Sequence, residues 1–553
     1  MRPAHWQIAH TWFVEVRQTI PLLPWVWGML ISCVLTQAAD PFTIDTRLQL
    51  RLIMNTTDSS GAYSVRIAKD RRNNDLYYSK LNGNIYRVTI LPGGGRSKSA
   101  QVYGAADHGL SENVQGMTIG PEGTIYLVGN ITTSDGKSTF ARIMKGVPNS
   151  SGGREWSLLA KTEAYPRSQT LFDHVFNGIV VSPDGSRIYV NSDSCTDHGE
   201  VQSANGAFPS TREVPLTAKI FRLPANGSDL LLRNDEDALR SAGYIVAEGT
   251  RNSFDLAFAA NGDLFATENG PDRDMDEELN WIRQGLHYGF PWRIGGADNP
   301  QQFPNYDPSK DRLLDRRFLA VQSGYYHNDP AFPPPPANFA EPVKNVGPDA
   351  DSFRDPKDGL AKDASRLGKT GNTFTAHRSP LGLVFDTTGA MSPPFQNHGF
   401  ALSWTHGDPD DTRVPGPFFD ASQDLLDLNL VKLGDTNYQA RVTRIATNFA
   451  NPIDAEIIGH RIYVLEYGAK QGIWEVTFPP ARPAVTILHP AVRGTSFSFS
   501  FATQSGLVYE VQFNVSFESP NWTVLTNFTG DGSLRNITET IPATQRFYRV
   551  RIQ

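Results

Sequence analysis

The chain has little cysteine, no clustered positive charge and no long membrane-spanning run. Its two cysteines, Cys33 and Cys195, cannot build a disulfide framework. The formal net charge of -7, with no run of Lys and Arg, argues against a nucleic-acid partner, because phosphate binding needs clustered positive charge. The apolar segment 20–35 is too short to span a bilayer comfortably and is broken by Pro24 and Gly28. We therefore expect a globular protein stabilised by a large core or a bound metal.

The N-terminal segment predicts export. The apolar run 20–35 is followed by the small-residue sequence TQAA, which is typical of a signal peptide over residues 1–39. The mature protein is then periplasmic or extracellular. The sequence LISC resembles a bacterial lipobox, which would instead leave Cys33 as a lipidated N-terminus and a lipid anchor. We favour cleavage near Ala39.

A strand, a polar turn and a second strand carrying an aromatic residue recur along the chain. Each copy alternates apolar and polar residues, and each turn contains Gly with Asn, Asp or Pro, as hairpin chemistry requires. The six copies begin at Ser64, Gly116, Gly178, Asp255, Gly382 and Pro452. A β-sandwich would not need six similar units, and a parallel α/β fold would need helices that this sequence hardly offers. The repeats predict an all-β protein with a six-bladed β-propeller over residues 40–478.

Two further segments break the repeat. Residues 295–372 have little apolar periodicity and contain a run of four prolines, which predicts a wall beside a site or a disordered excursion. Residues 479–485 are proline-rich and predict a stiff linker. Beyond them, residues 486–553 alternate cleanly and predict a small C-terminal β-sandwich with a structural, adhesive or sorting role.

The stretch 249–292 carries the richest chemistry. Its Gly270-Pro271 turn exposes backbone carbonyls beside several carboxylates, an arrangement that suits calcium, which takes six to eight oxygen ligands. Arg251, followed by Asn252, suits an anionic or electron-rich ligand. The alternative is an ordinary strand-turn-strand with a solvated acidic loop.

A second candidate lies where the third repeat begins. The sequence LFDHVFNGIVV places Asp173 and His174 at a strand entrance. A His beside an acid suits a general base with an orienting carboxylate, because imidazole titrates near neutrality. A purely structural His is the alternative. The matching position of Arg251 before the next repeat favours the functional interpretation.

Five motifs follow one another along the chain, namely DH before GIVVSPDG, GTRN before DLAFAANGDLFATENGP, DEELNWI, GLHYGFPW and AHRSPLGLVF. Their order resembles the glucose/sorbosone dehydrogenase family over about residues 64–478. That family comprises soluble quinoproteins with a six-bladed propeller, the redox cofactor pyrroloquinoline quinone (PQQ) and bound Ca2+. The resemblance implies oxidation of an aldose or related sugar at C1, with electrons passed to an extracytoplasmic acceptor.

The resemblance also implies individual roles. His174 would take the proton of the sugar C1 hydroxyl, and Asp173 would position His174. Arg251 would stabilise negative charge on the quinone oxygen. Asn252 and Asn269 would bind the cofactor.

Metal and charge contacts follow from the same resemblance. The carbonyls of Gly270 and Pro271 would hold the catalytic calcium. The remaining candidates are Asp274, Asp276 and Glu277 for a second, structural calcium, and Arg413, Lys432 and Arg378 for the PQQ carboxylates. Each of these three cations is alternatively an ordinary surface charge.

Two other functions stay open at this point. A propeller is also used as a non-catalytic platform that binds a protein or glycan, and fold alone does not fix function. A calcium-dependent lactonase is the third reading, although it needs side-chain carboxylates and Asn on an axial metal, whereas the Gly270-Pro271 turn offers backbone oxygens.

Overall fold

The computed structural model describes residues 40–91, 97–168, 170, 172–202, 212–406, 416–468, 471–516, 518, 520–541 and 545–552. The predicted signal peptide 1–39, with Cys33, and the predicted cofactor contact Arg413 lie outside these residues. Cys195 is a free, buried thiol. Among the described residues, no helix has the length and apolar character needed to cross a membrane. The chain divides into two compact units, Met1–Pro479 and Pro480–Gln553.

The first unit contains six mainly antiparallel sheets, numbered here in chain order. Sheet 1 contains Ser64–Asp70, Asp75–Lys80, Ile85–Thr89 and Lys98–Tyr103. Sheet 2 contains Val114–Ile119, Ile125–Thr132, Ser138–Pro148, Arg154–Thr162, Tyr165–Pro166 and Leu230–Leu232. Sheet 3 contains Phe176–Val181, Arg187–Ser192, Lys219–Pro224, Ile245–Glu248 and Leu286–His287. The all-β prediction is thus confirmed.

Sheets 4 to 6 complete the set. Sheet 4 contains Asp255–Phe258, Leu264–Glu268 and Glu278–Ile282. Sheet 5 contains Pro380–Phe385, Gly399–Ser403, Leu425–Leu433, Asn437–Thr447, Phe42–Thr43 and Lys344–Pro348. Sheet 6 contains Pro452–Ile458, Arg461–Glu466, Gly472–Thr477 and Gln49–Asn55. Each of the six predicted repeat copies falls on the first two strands of one sheet.

The first strands of the six sheets contact one another in a closed cycle, from sheet 1 through sheet 6 and back to sheet 1. Six apolar clusters fill the spaces between neighbouring sheets, one for each pair. The cycle closes through the N-terminal strand Gln49–Asn55, which pairs antiparallel with Gly472–Thr477 at the other end of the unit. Face-to-face packing of sheets around an axis is the arrangement of a propeller.

The hairpin turns follow from their glycines. In sheet 3, Gly185 has φ 73° and donates its N–H to the carbonyl of Ser182 at 2.9 Å. In sheet 4, Gly262 has φ 86° and donates to Ala259 at 2.9 Å. Such positive φ angles are costly for residues with a Cβ, which is why the turns of the predicted hairpins contain glycine at these positions.

Short elements lie between the sheets. They are two ribbons, Arg293–Ile294 with Ala297–Asp298 and Ser352–Arg354 with Ala361–Asp363, the α-helices Ala105–His108, Glu236–Ser241 and Leu319–Gln322, and the 3₁₀ helices Pro300–Gln302, Pro308–Lys310 and Ser365–Leu367. The predicted insertion 295–372 holds four of these short helices and three of these ribbon strands, and its segment Lys344–Pro348 pairs with sheet 5.

The second unit contains two three-stranded sheets. One sheet contains Leu488–Arg493, Ser496–Ala502 and Leu534–Thr540, and the other contains Thr523–Thr529, Val508–Asn514 and Phe547–Ile552. Both sheets contribute to one apolar cluster that includes Phe499, Phe501, Tyr509 and Val511.

Arg66 lies on the first strand of sheet 1 and joins several sheets at the axis. It is only 2% exposed, and its guanidinium donates to the carbonyls of Gln115 in sheet 2 at 2.7 Å and of Phe254, next to sheet 4, at 2.6 Å. One of its nitrogens lies 3.5 Å from Asp255, whose carboxylate accepts the Leu383 N–H of sheet 5 at 2.8 Å. A single buried cation therefore bridges the inner strands of four sheets.

Asp454 of sheet 6 completes this axial group by accepting the Ile67 N–H of sheet 1 at 2.8 Å. Burial raises the pKa of Asp255 to about 6, against the opposing charge of Arg66. Burial and the neighbouring carboxylate of Asp255 raise the pKa of Asp454 well above its usual value. The two acids and one guanidinium are thus electrostatically interdependent.

We expect Arg66→Met to destabilise the first unit by about 3–5 kcal/mol, because it removes one partner of a buried charge pair and leaves two carbonyls unsatisfied. Urea denaturation measures the change. The matched control is Arg366→Met, since Arg366 is 86% exposed and pairs with Asp363 at 3.1 Å. Equal, small effects of the two substitutions would contradict the axial role.

Candidate active site

Loops of sheets 3 and 4 meet at one end of their inner strands. The His174 N–H donates to the Ser194 carbonyl at 3.3 Å, and the Ser194 N–H donates to the Arg251 carbonyl at 2.7 Å. Ser194 belongs to the loop that follows the second strand of sheet 3. The structure therefore brings the predicted base and the predicted guanidinium together, with one residue between their backbones.

The Gly-Pro turn joins the same group. Arg251 donates from Nη1 to the Asn269 carbonyl at 3.2 Å, and the Asn269 N–H donates to the Asn252 carbonyl at 3.1 Å. The turn continues into Gly270 and Pro271, whose carbonyls accept no hydrogen bond from the described residues. Free carbonyl oxygens beside a cluster of buried acids are suitable ligands for a hard cation.

Glu268 supports the backbone beneath these side chains. Its carboxylate accepts the N–H groups of Arg251 and Asn252 and the hydroxyl of Ser253 at 2.6 Å. In the sheet 4 register Glu268 lies directly opposite Glu278, and both are 4% exposed. Burial raises the pKa of Glu268 to about 7, while burial and the charge of Glu268 raise the pKa of Glu278 to about 8.

His174 is held as a neutral imidazole. The residue is partly exposed, but its Nδ1 is buried without a hydrogen-bond partner. Burial, and then the positive charge of Arg251, lower its pKa to about 3. Asn252 Oδ1 is a second buried polar atom without a partner. Buried polar atoms are normally paired, so these two atoms mark a position where a ligand would supply the missing contacts.

Asp173 does not orient His174 in this structure, and that prediction needs correction. The Asp173 carboxylate accepts from Nε of Arg167 at 3.4 Å and lies beside the Cys195 thiol. Burial raises its pKa to about 6 although Arg167 opposes the shift. Adjacency in sequence does not bring the two side chains into contact here, because the carboxylate of Asp173 pairs with Arg167 instead.

The sequence reasoning missed a buried loop, residues 193–202, that crosses the site. Asp197 and His198 in this loop are at most 1% exposed, and His198 Nδ1 lies 2.8 Å from the Asp197 carboxylate. The His198 ring stacks on Tyr326 of the insertion, with centroids 3.7 Å apart and planes within 9°. The available signal was the acid-histidine sequence TDHGE, which has no strand or helix periodicity.

The insertion 295–372 packs against this loop, as its predicted role as a wall requires. Besides the Tyr326 contact, Gln301 Oε1 lies 3.3 Å from His198 Nε2. The Ala320 N–H donates to the carboxylate of Asp272 at 2.8 Å, directly after the Gly-Pro turn. The insertion is therefore tied to both loops that form the site.

Asp274 does not act as a calcium ligand in this geometry. Its carboxylate accepts from Nε2 of His377 at 2.8 Å and from Nε of Arg354 at 2.5 Å. His377 in turn stacks on Phe318, with centroids 4.2 Å apart. His377 lies in the predicted AHRSPLGLVF motif, but the sequence reasoning did not single it out. The carboxylate is thus neutralised by neighbouring cationic or protonatable groups.

Asp276 and Glu277 also have separate partners. Asp276 accepts the N–H of Asn372 at 3.1 Å, whereas Glu277 accepts the N–H groups of Gly270 at 3.2 Å and Ser379 at 2.7 Å. No group of three or more His, Cys, Asp or Glu within the described residues is placed to hold a metal. The three acidic side chains therefore do not converge in this structure, and a second calcium at these acids stays a prediction.

The predicted cationic cofactor contacts are not brought to the site. Arg378 is fully buried and pairs with Asp420 at 2.9 Å. Lys432 pairs with Asp263 at 2.9 Å near the turn of sheet 4. Arg378 and Lys432 thus have carboxylate partners of their own, and their contact with the PQQ carboxylates stays a prediction. Arg413 lies outside the described residues.

Together, the described groups offer three chemical capabilities. A neutral imidazole accepts a proton, a guanidinium beside it stabilises a developing negative charge, and free turn carbonyls attract a cation.

Comparisons with known proteins find similarity over part of the chain. Residues 96–311 match the family Glucose / Sorbosone dehydrogenase, which confirms the family resemblance read from the motifs. A curated relative, quinoprotein glucose dehydrogenase B of Acinetobacter calcoaceticus, is 27% identical over 212 residues. That match covers 34% of this chain and 41% of the relative, so the chain spans about two fifths of the relative's length.

Two solved structures are also similar. The PQQ-bound aldose sugar dehydrogenase of Streptomyces coelicolor is 15% identical, with a TM-score of 0.42 over 78% of this chain and 99% of that one. The soluble aldose sugar dehydrogenase of Escherichia coli in the apo-form is 14% identical, with a TM-score of 0.45 over 78% and 99%.

The facing pair Glu268 and Glu278 predicts a pH dependence of stability. A carboxyl whose pKa is raised on folding stabilises the native state at low pH, and this contribution is lost as pH rises toward the folded value of about 8. The free energy of unfolding of the parent protein should therefore fall between pH 5 and pH 8. We expect Glu278→Gln to make this fall smaller by about 2–3 kcal/mol. Urea denaturation at both pH values measures it.

The control for this prediction is Glu122→Gln, because Glu122 is an exposed turn carboxylate. It is expected to leave the pH dependence as in the parent protein. An unchanged pH dependence in Glu278→Gln would show that Glu278 is ionised in the native state.

Proposed function

We propose that this protein, whose residues 96–311 match the glucose/sorbosone dehydrogenase family, is an exported quinoprotein that oxidises an aldose or related sugar at C1. It would use PQQ and Ca2+ and pass electrons to an extracytoplasmic acceptor. The observation that supports this most directly is the hydrogen-bonded linkage of His174, through Ser194, to Arg251 and the Asn269-to-Pro271 turn, all inside the matched stretch.

The same proposal extends to architecture. We interpret the six sheets as six blades of one propeller, because their first strands close a cycle and each neighbouring pair shares a core. We interpret the two sheets after residue 480 as a small β-sandwich with a structural, adhesive or sorting role.

The pocket residues fit the polar edge of a quinone. Arg251 would hold the carbonyl oxygens of this edge, since it keeps N–H groups beyond its three hydrogen bonds, and Asn252 Oδ1, which is buried without a partner, would accept from a donor on the ligand. The bound cofactor supplies the two-electron redox chemistry, while the protein supplies position and charge. The carbonyls of Gly270 and Pro271 fit a calcium ion, because they accept no hydrogen bond within the described region.

His174 is suited to accept the proton of the sugar hydroxyl. Its depressed pKa keeps the imidazole uncharged at neutral pH, so no prior deprotonation is needed, while the same shift makes it a weaker proton acceptor than a free imidazole. The adjacent guanidinium stabilises negative charge that develops beside it, an electrostatic contribution of the oxyanion type. The same guanidinium disfavours the imidazolium, so proton acceptance and charge stabilisation are coupled through one pair of residues.

We expect His174→Ala to lower dye-linked sugar oxidation by about 10²–10⁴-fold after reconstitution with PQQ and Ca2+, because it removes the general base. Stopped assays across a panel of aldoses measure turnover, and absorbance titration measures PQQ affinity separately. The matched control is His460→Ala, at a turn between two strands of sheet 6. Full turnover in His174→Ala would rule out the proposed base.

A pH profile provides an independent test of the base. With a pKa of about 3, His174 stays deprotonated between pH 5 and pH 7, so kcat/KM should change less than about twofold through its titration. A His with an ordinary pKa of about 6.5 would lower kcat/KM about 25-fold over the same range. Imidazole-rescued His174→Ala serves as the control, since a free base in solution is not buried. An acid limb near pH 6.5 in the parent protein would contradict the assignment.

A further inference from the structure

We propose that Asp197 is the positioning residue that fixes the Arg251 guanidinium in the pocket, and that Tyr326 of the insertion completes this clamp. The catalytic role of this arrangement rests on the proposed function. The clamp itself, which consists of Asp197 and Tyr326 around the Arg251 guanidinium, is defined by hydrogen bonds alone. It assigns the insertion a role in orienting a pocket residue, beyond that of a wall.

Asp197 holds Arg251 at two points. Its backbone carbonyl accepts from Nε at 2.7 Å, and its Oδ1 accepts from Nη2 at 3.1 Å. The third guanidinium nitrogen, Nη1, donates to the Asn269 carbonyl at 3.2 Å. A guanidinium has five N–H groups in one plane, so three are fixed and one remains on each terminal nitrogen. The orientation of these two remaining donors is therefore set by Asp197 and Asn269.

Asp197 is itself held from several directions. Its Oδ2 accepts from Tyr326 at 3.0 Å and lies 2.8 Å from His198 Nδ1, while its Oδ1 also accepts the Asp272 N–H at 3.0 Å. An ionised carboxylate offers about four acceptor positions. Four donors therefore occupy the acceptor positions of the two buried oxygens, and rotation of the carboxylate would break these hydrogen bonds.

The charge of Asp197 persists despite its burial. Desolvation alone would raise the pKa of Asp197, but the hydrogen bond from His198 and the charge of Arg251 hold it below its usual value. Removing one donor from a buried carboxylate costs more than removing one from an exposed carboxylate, because no water replaces it. Tyr326 is 4% exposed, so its hydroxyl has no solvent substitute at this position.

The insertion contains a matched arrangement that does not touch Arg251. Tyr306 donates to Asp311 at 2.8 Å, and Arg273 pairs with the same carboxylate at 2.8 Å. Tyr306→Phe and Tyr326→Phe therefore remove the same chemical group, a tyrosine hydroxyl on an aspartate paired with an arginine. Only the arrangement of Tyr326 and Asp197 includes Arg251.

The experiment compares Tyr326→Phe, Asp197→Asn and the control Tyr306→Phe in the reconstituted full chain. We expect kcat to fall about tenfold in Tyr326→Phe and about 100-fold in Asp197→Asn, because small misplacements of a pocket group are costly. KM should change little, and PQQ affinity measured without sugar should fall in the same order. Tyr306→Phe should retain parental kcat and PQQ affinity. A Tyr326→Phe variant with the kcat of Tyr306→Phe would overturn the clamp.

A second measurement does not depend on enzymatic activity. Thermal unfolding midpoints are measured for both Tyr→Phe substitutions in the parent and in the Asp197→Asn background. We expect the Tyr326→Phe shift to shrink in Asp197→Asn, since the two groups share one bond, and the Tyr306→Phe shift to stay the same. Equal shifts of Tyr326→Phe in both backgrounds would overturn the clamp. Absence of PQQ binding by the parent protein would instead remove the proposed function and leave this cycle interpretable.

Discussion

Charge at the axis must be balanced before the sheets can close, and Arg66 provides that balance. Its guanidinium bonds to carbonyls belonging to sheets 2 and 4 and pairs with Asp255, while Asp454 receives an N–H of sheet 1. Gln115 comes from sheet 2, Phe254 and Asp255 from the start of sheet 4, and Asp454 from sheet 6. Arg251 immediately precedes the same sheet 4 strand, so its position depends on the axial group.

Buried carboxylates organise the site itself. Glu268 accepts the N–H groups of the Arg251-Asn252 segment, Glu277 accepts those of Gly270 and Ser379, and Asp197 collects donors from two loops and the insertion. Carboxylates that bind backbone N–H groups fix loop geometry without adding side-chain motion. These carboxylates therefore fix the backbone of the site, whereas His174 Nδ1 and Asn252 Oδ1 are buried without a hydrogen-bond partner among the described residues.

Local signals predicted the hairpins and part of the site, whereas tertiary pairing decided the rest. The six hairpins were predictable because Gly-containing turns and alternation act within a few residues. His174 and Arg251 were predictable because each enters a first strand, and the inner strands lie side by side. The partners of Asp274 and Lys432 were not, since these charged side chains pair with residues remote in sequence. The 193–202 loop has no periodicity and was missed for that reason.

The strand Gln49–Asn55 is paired with Gly472–Thr477, more than four hundred residues later in the chain. During synthesis, the outer strand of sheet 6 is made first, but it has no partner until the strand Gly472–Thr477 has been made. The ring therefore closes only after nearly the whole first unit has been made. Any truncation before residue 472 leaves two unpaired sheet edges, one at each end of the polypeptide, and both are templates for intermolecular pairing.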